Sequence, residues 1–187
     1  MASYDAELLE VARRLLVRRA GQRGKLSSAR IRRSISTSYY ALFHFLLDEV
    51  GARVVGTHND LRKRRRILNR TVTHRGAKTT LNKVRGASAD ASVEDFLRPS
   101  GVAAAPLVPP RFVRDLANAF TDAQAKRIDA DYNLNKALSE LDARLLRARV
   151  TRVIGAWRAA NTASDRDFKH ALCILILIKG QLYVEQL

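Results

Sequence analysis

Hydrophobic residues recur along most of the chain at the three- and four-residue spacing of an amphipathic α-helix. The first segment, residues 4–20, places apolar side chains on one face: Leu8, Val11, Leu15 and Leu16. Residues 27–50 carry a wider stripe, which predicts a helix buried on most sides: Ile31, Ile35, Tyr39, Leu42, Phe43, Leu46 and Leu47. Gly51 is placed to end this helix, because glycine tolerates a left-handed cap.

The helical pattern returns downstream. Thr57 followed by Asp60 resembles a capping box and predicts a basic helix over residues 59–69, with a shorter helix over 78–85. Apolar residues share a face again from Phe112, and a long helix is predicted over 122–160 with room for a break near Tyr132. Ser164 is predicted to cap a last helix over residues 165–184.

Residues 87–110 interrupt this pattern. All four prolines fall there, beside Gly101 and a run of alanines, which predicts a long Pro/Ala-rich loop or insertion. The run "CILILI" near the C-terminus would suit a strand on propensity, but no partner strand is evident. The predicted fold is therefore all-α: one domain over residues 1–187, an up-and-down bundle of four main helices with short accessory helices.

Composition and charge limit the functional classes. The net charge is +16, which favours a polyanionic partner, although a simply basic surface is the alternative. The single cysteine, Cys173, excludes an internal disulfide and suits a reducing compartment, so a cytoplasmic location is predicted. No signal peptide is evident, and the apolar run at 171–178 is shorter than the ~20 residues that span a bilayer, so no membrane association is predicted.

Familiar catalytic and cofactor motifs are missing from the sequence. The four histidines form no His-x-x-x-His pair, and no Gly-x-x-x-x-Gly-Lys phosphate loop or Gly-x-Ser-x-Gly elbow occurs. We therefore predict no metal site and no cofactor.

The run "LRKRRRILNR" is the strongest electrostatic feature of the sequence. Its basic side chains match phosphate oxygens and are candidates for nucleic-acid binding, together with one residue that follows shortly afterwards: Arg62, Lys63, Arg64, Arg65, Arg66, Arg70 and Arg75. The alternative is a solvated helix face. No aromatic residue interleaves with the run, so binding here would be directed at the nucleic-acid backbone and would depend steeply on salt.

A second group of chemically active residues lies in "AKRIDADYNL". Arg127 and Asp131 are four residues apart, so they can pair across one helical turn, and Tyr132 follows directly. Such a pair can order a phosphate site, because the carboxylate fixes the orientation of the arginine. An ordinary surface ion pair is the alternative.

Two separated blocks carry a resemblance to a known family. "SISTSYYALFHFLLDE" resembles the Ser-x-Ala-Tyr-Tyr-Ala-x-Phe-His block of the HEPN family (higher eukaryotes and prokaryotes nucleotide-binding), and "RIDADYNL" resembles its Arg-x-x-Ala-Asp-Tyr block. "THRG" between them is similar to the family's short His-Lys/Arg-Gly turn. The resemblance implies a helical bundle that forms a homodimer and acts in a toxin–antitoxin or antiphage defence module. For some members it implies metal-independent ribonuclease activity.

The resemblance also suggests roles for particular residues. In a ribonuclease, Arg127 would hold phosphate while His44 or His74 moves the proton, with Asp131 and Tyr132 completing the site. The nuclease pattern places a histidine shortly after the arginine, and here that position is Tyr132. On spacing alone, His44 also suits a core histidine of a buried helix.

Three functional hypotheses follow. The first is an RNA- or nucleotide-binding protein with metal-independent ribonuclease activity. The second is a non-catalytic dimeric module that binds an acidic partner, such as a nucleotidyltransferase-like antitoxin that modifies Tyr132. The third, a DNA-binding protein, ranks last because no helix-turn-helix pattern surrounds the basic run.

Overall fold

The described part of the chain is built from α-helices. The structure is a computed structural model, and it describes residues 3–18, 24–98 and 106–182. Within these ranges it contains no β-strand, which confirms the predicted all-α class. The helices are α1 (Tyr4–Leu15), α2 (Ser28–Val55), α3 (Arg62–Asn69), α4 (His74–Asn82), α5 (Ala91–Leu97), α6 (Arg111–Tyr132), α7 (Glu140–Ala159) and α8 (Ala163–Leu182).

The residues divide into two compact units. The first contains the chain up to Phe45 together with Ala119–Gly155, and the second contains Leu46–Asn118 and the chain from Ala156 onward. Helices α2, α6 and α7 therefore contribute residues to both units. Among the described helices, none combines the length and apolar character needed to cross a membrane.

The core of the first unit is aromatic at its centre. Tyr39 and Phe43 on α2 lie one turn apart with their rings stacked, and Phe120 of α6 packs against both, with its ring centroid 5.7 Å from that of Tyr39. Burial is the first cause that raises the pKa of the Tyr39 phenol well above its ordinary value. Tyr39 is therefore a neutral core residue at physiological pH.

The core of the second unit includes the apolar run of the last helix. Helix α8 packs against α4 and α5. The buried side chains of the run lie inside this unit: Leu172, Cys173, Leu175 and Ile176. Burial also raises the pKa of the Cys173 thiol to about 12, so this thiol is unreactive. Much of the apolar run at 171–178 thus serves the core of its own unit.

Helix C-termini are bound by basic side chains from elsewhere in the chain. Arg30 and Arg144 donate hydrogen bonds to the last carbonyls of α1 and the residues just after it. Arg65 donates to the carbonyls of Gly56 and His58, just beyond α2. These contacts satisfy carbonyls that have no intrahelical partner and place positive charge at the negative end of the helix dipole.

The last helix caps its predecessor with a buried lysine. Lys169 on α8 donates to the carbonyl oxygens of Trp157, at 2.6 Å, and Ala160, at the end of α7. Its ammonium lies over the rings of Phe112 and Trp157, at 5.2 and 5.3 Å from their centroids. Burial lowers the pKa of Lys169, and the carbonyl and π contacts offset the cost of burying its charge.

Side-chain caps begin several helices. Thr73 accepts a hydrogen bond from Gly76 N at the start of α4, and Asp90 accepts one from Ser92 N at the start of α5. The prediction that Ser164 caps the last helix is wrong: the cap lies two residues earlier, where Thr162 and Asp165 form a reciprocal box. The predicted Thr57–Asp60 box is also absent, since the 3-10 turn at Asn59–Leu61 before α3 has His58 at its N-cap.

Helix α2 continues past Gly51, so the predicted end of this helix is wrong. It runs to Val55 and ends at Gly56, whose φ of 103° only glycine adopts easily. Gly51 has a different use. A Cβ atom there would lie 3.0 Å from Asn69 Oδ1 and 3.4 Å from Arg65 Cβ, so the glycine allows α3 to pack closely against α2.

Two further boundaries differ from the sequence prediction. Helix α5 lies inside the predicted 87–110 loop, because Asp90 caps it and Val93 and Leu97 are buried. Residues 99–105 of that loop lie outside the described residues. The long helix predicted over 122–160 is interrupted where a break was expected, since α6 ends at Tyr132 and α7 begins at Glu140. The basic helix α3 lies where predicted, and α4 begins four residues before its predicted start at residue 78.

Candidate functional site

An arginine held by three side chains marks the candidate site in the first unit. Arg127 Nε lies 2.7 Å from Asp131 Oδ2, one turn further along α6, which confirms the predicted pair. Arg127 Nη2 donates a hydrogen bond of 2.8 Å to Tyr40 Oη on α2. The Nε–H bond is not aligned with a carboxylate oxygen, so charge rather than a linear hydrogen bond holds the Asp131 contact.

Two tyrosine rings flank the guanidinium. The Arg127 Cζ atom lies 5.5 Å from the centroid of the Tyr40 ring and 5.3 Å from that of the Tyr132 ring, within the range of cation–π attraction. Tyr132 is 70% exposed, so its ring and hydroxyl face solvent. Among the described residues, Arg127 Nη1 has no hydrogen-bond partner, and it remains available to an anion.

The electrostatics of the site favour a permanent cation. Partial burial acts to lower the pKa of Arg127, but the hydrogen bond with Tyr40 and the charge of Asp131 outweigh it, and the pKa is raised. The guanidinium is therefore a fixed charge that binds anions and does not transfer protons.

Helix α2 supplies two residues of the site that the sequence analysis did not assign. Ser36 Oγ donates a short hydrogen bond to Asp131 Oδ1, and Tyr40 contacts Arg127. Ser36 and Tyr40 are four residues apart and therefore share a face of the helix. A polar pair at that spacing, beside the apolar stripe of the helix, was the available signal.

Arg32 fixes the end of the helix that carries the site. Its Nη1 donates to the carbonyls of Asp129, Ala130 and Asn133, and its Nη2 donates to those of Leu134 and Lys136, at 2.6–3.1 Å. The guanidinium fork thus caps α6 and shapes the turn after it. Asp131 and Tyr132 lie in that last helical turn, so Arg32 positions both.

The two candidate histidines have other surroundings. His44 is half-buried on α2, and its ring packs edge-on against Tyr4, with centroids 4.9 Å apart, and against Phe43 at 6.1 Å. This is the aromatic packing expected of a histidine that supports a bundle. His74 is the half-buried first residue of α4, in the second unit.

Most of the predicted nucleic-acid-binding residues are exposed. These side chains lie on α3 and at the start of α4, in the second unit: Arg62, Lys63, Arg64, Arg66, Arg70 and Arg75. Arg65 differs, because it is half-buried and its Nη1 is bound by the carbonyls of Gly56 and His58. The continuous patch predicted for this helix therefore loses Arg65, which has a structural role.

A metal would have to be held by a cluster of suitable side chains. Across the part of the chain that the structure describes, no three His, Cys, Asp or Glu residues come together in a way that could bind one. Compared with protein-family models, curated proteins and solved structures, the chain matches none significantly.

Proposed function

We propose that the protein binds RNA as a HEPN-type helical protein, with Arg127 holding a phosphate group. The observation that carries this proposal is the orientation of the guanidinium. Asp131 and Tyr40 fix it through Nε and Nη2, and Nη1 is left for an anion. A pre-oriented arginine loses little conformational entropy when it binds, which favours recognition of a phosphate oxygen.

The exposed Tyr132 ring supports a single-stranded ligand. It lies beside the Arg127 guanidinium, at 5.3 Å from Cζ to the centroid, and it is accessible to a base. An aromatic platform next to a phosphate-binding cation is typical of single-stranded RNA recognition, where stacking contributes about 1–3 kcal/mol per base.

The basic residues of α3 supply a second, less specific contribution. Arg62, Lys63, Arg64, Arg66 and Arg70 are exposed and have no acidic partner among the described residues. They suit phosphates of the RNA backbone in any sequence, and their contribution falls as salt rises.

Binding is tested by fluorescence anisotropy with a labelled single-stranded RNA of mixed sequence, against duplex DNA of the same sequence. The proposal predicts that Arg127→Gln weakens RNA binding by about tenfold or more, as the loss of one charge-assisted hydrogen bond requires. Arg152→Gln is the matched control, because it removes the same charge from an exposed position on α7. Equal losses in both variants, or tighter binding to duplex DNA, would contradict the proposal.

Ribonuclease activity is a separate question. The contacts of Arg127 run to tyrosines and a carboxylate, and a phenol is a poor base at neutral pH. Binding without cleavage is therefore the proposed activity. Incubation of the protein with transfer RNA and mixed RNA in the presence of a chelator tests it. Metal-independent cleavage that Arg127→Gln abolishes would establish the nuclease instead.

The second candidate function is a defence module whose partner modifies Tyr132. The exposure of its hydroxyl, beside a cation that would bind the incoming phosphate, favours this reading. The partner would be a nucleotidyltransferase-like antitoxin or another defence component. Co-expression with a neighbouring gene product, followed by mass spectrometry, tests it: an unmodified Tyr132 and no complex would count against it.

We further propose that the protein is an up-and-down helical bundle that forms a homodimer and that it acts in the cytoplasm. Exposed apolar side chains of the first unit suit a contact surface: Ile128, Leu134, Leu141 and Leu145. Light scattering coupled to size exclusion distinguishes a dimer from a monomer. Leu141→Glu with Leu145→Glu should yield monomers if this surface is the interface.

A further inference from the structure

The second unit contains a cleft that the proposed RNA site does not use. Its volume is about 530 Å³, within the ~300–1,000 Å³ range of small-molecule sites. The C-terminal part of α2 and the first turns of α8 line it: Glu49, Ala52, Arg53, Thr57, Arg166, Asp167 and His170. Six of these seven side chains are polar or charged, so the cleft suits a polar ligand.

The charged groups at the base of the cleft are held in place. Glu49 Oε2 accepts a hydrogen bond of 2.7 Å from Trp157 Nε1 and one of 2.9 Å from Arg53 Nε. Trp157 is almost fully buried, so it anchors Glu49, and Glu49 in turn orients Arg53. Because only Nε of Arg53 takes part in this contact, its two Nη groups can donate to a ligand.

Cations and carboxylates are present together around the opening. Arg166 uses Nη1 to donate to Asn161 O at 2.8 Å, and Nη2 remains for a second acceptor. Asp167 and His170 are exposed at the rim, and Thr57 contributes a hydroxyl. A simple dianion would be repelled by the two carboxylates. A ligand with both an anion and several hydroxyl donors satisfies both sets of groups.

We propose that this cleft binds a sugar phosphate, either as a free molecule or as the sugar-phosphate part of a nucleotide. Arg53 and Arg166 would hold the phosphate, and Glu49 and Asp167 would accept hydrogen bonds from the sugar hydroxyls. Among the residues that line the cleft, none is phenylalanine, tyrosine or tryptophan, His170 lies exposed at the rim, and Ala52 is the single apolar one. The sugar phosphate rather than a nucleobase is therefore the part of the ligand that is recognised.

Trp157 provides a direct readout, because it is the only tryptophan of the chain and is hydrogen-bonded to Glu49 in the cleft. Its fluorescence is followed during titration with ribose 5-phosphate at constant ionic strength, with calorimetry as a second readout. We expect a saturable signal, and binding of ribose and of inorganic phosphate weaker by about tenfold or more, because each lacks one half of the contacts. Titration with AMP distinguishes a free sugar phosphate from a nucleotide. If AMP and ribose 5-phosphate bind with equal affinity, the base adds nothing to recognition.

Variants decide whether the signal comes from the cleft. Arg166→Gln and Asp167→Asn change exposed side chains and should each weaken ribose 5-phosphate binding by about tenfold, the loss expected for one charge-assisted hydrogen bond. Arg152→Gln, which removes a charge from an exposed position on α7, should leave it unchanged. The proposal is overturned if neither readout detects ribose 5-phosphate, if inorganic phosphate binds as tightly, or if both cleft variants bind like the native protein.

Discussion

The hydroxyl of Tyr40 accepts a hydrogen bond of 2.8 Å from Arg127 Nη2, which joins α2 to α6 within the first unit. Tyr40→Phe removes this bond and keeps the ring. Because the donor is charged and the contact is partly buried, we expect the free energy of unfolding to fall by about 1–2 kcal/mol. RNA affinity should fall as well, since the guanidinium loses one of its two anchors.

Urea unfolding followed by circular dichroism measures the effect of Tyr40→Phe. Tyr4→Phe is the matched control, because Tyr4 is about half exposed and its ring makes an edge-on contact that phenylalanine preserves. A Tyr40→Phe protein as stable as this control would show that the hydrogen bond has no role.

Arg32 should not tolerate replacement by lysine. Its two Nη atoms together reach five carbonyls, and an ammonium cannot cover the same arc. We expect Arg32→Lys to lower the free energy of unfolding by about 2 kcal/mol, since the part-buried contacts with the carbonyls of Asp129 and Ala130 lose a donor. Amide hydrogen exchange should rise at residues 131–136.

Arg33→Lys is the control for this prediction. Arg33 is the next residue along α2 and is exposed. Arg33→Lys should therefore leave the free energy of unfolding and the amide hydrogen exchange unchanged. Similar behaviour of the two variants would mean that the position of the charge near α6 is sufficient and that the guanidinium fork is not needed.

Two glycines inside helices should respond in opposite directions to alanine. Gly155 has open space where a Cβ would be, so Gly155→Ala should stabilise the protein by about 0.5–1 kcal/mol through helix propensity. At Gly51 the new Cβ would meet Asn69 Oδ1 at 3.0 Å, so Gly51→Ala should destabilise it by about 1 kcal/mol or more. Thermal unfolding of both variants tests this, and a gain in stability at Gly51 would contradict the close packing of α3.

Asp142 should make stability depend on pH. A hydrogen bond from Lys126, followed by those from Ser139, holds the pKa of Asp142 well below its ordinary value. The folded state therefore gains stability from this carboxylate above the ordinary pKa of ~3.9, and loses it as the pH falls through the lower folded value. Asp142→Asn should cost about 1 kcal/mol at pH 7, as the loss of a helix cap does.

The difference in the free energy of unfolding between the native protein and Asp142→Asn should shrink as the pH is lowered below ~4, because Asp142 is then protonated in the unfolded chain while it stays charged in the folded state to lower pH. Urea unfolding at a series of pH values measures this. Asp95→Asn, at an exposed position on α5, should change stability little at any pH. A constant difference across the series would rule out the charged cap.

Periodicity was enough to place the long helices, because their apolar stripes follow helical spacing. It placed their ends poorly where a distant side chain decides them. Gly51 has the residue type of a terminator, but the chain continues as a helix to Val55, and the glycine instead gives α3 room to pack. Helix α5 was not predicted, because its sequence has a composition typical of loops. The helix is stabilised by the Asp90 cap and by two buried side chains.

The candidate site was predictable only within one helix. Spacing placed Arg127 and Asp131 together, since both lie on α6 and are separated by one turn. Ser36 and Tyr40 on α2 were not predicted as partners, because sequence periodicity alone does not show which face of α2 meets α6. Arg32 was hidden for the same reason: its targets are backbone carbonyls about a hundred residues away, and these have no side-chain signature.

A charge count cannot separate two populations among the basic residues of this chain. Arg32, Arg65 and Lys169 are committed to the backbone at helix ends, whereas the other basic residues of α3 face solvent. A charge-conserving exchange of arginine for lysine would therefore act on different properties in each population. At the helix ends it would cost folding cooperativity, and along α3 it would leave folding intact and alter only the directional contacts with a ligand.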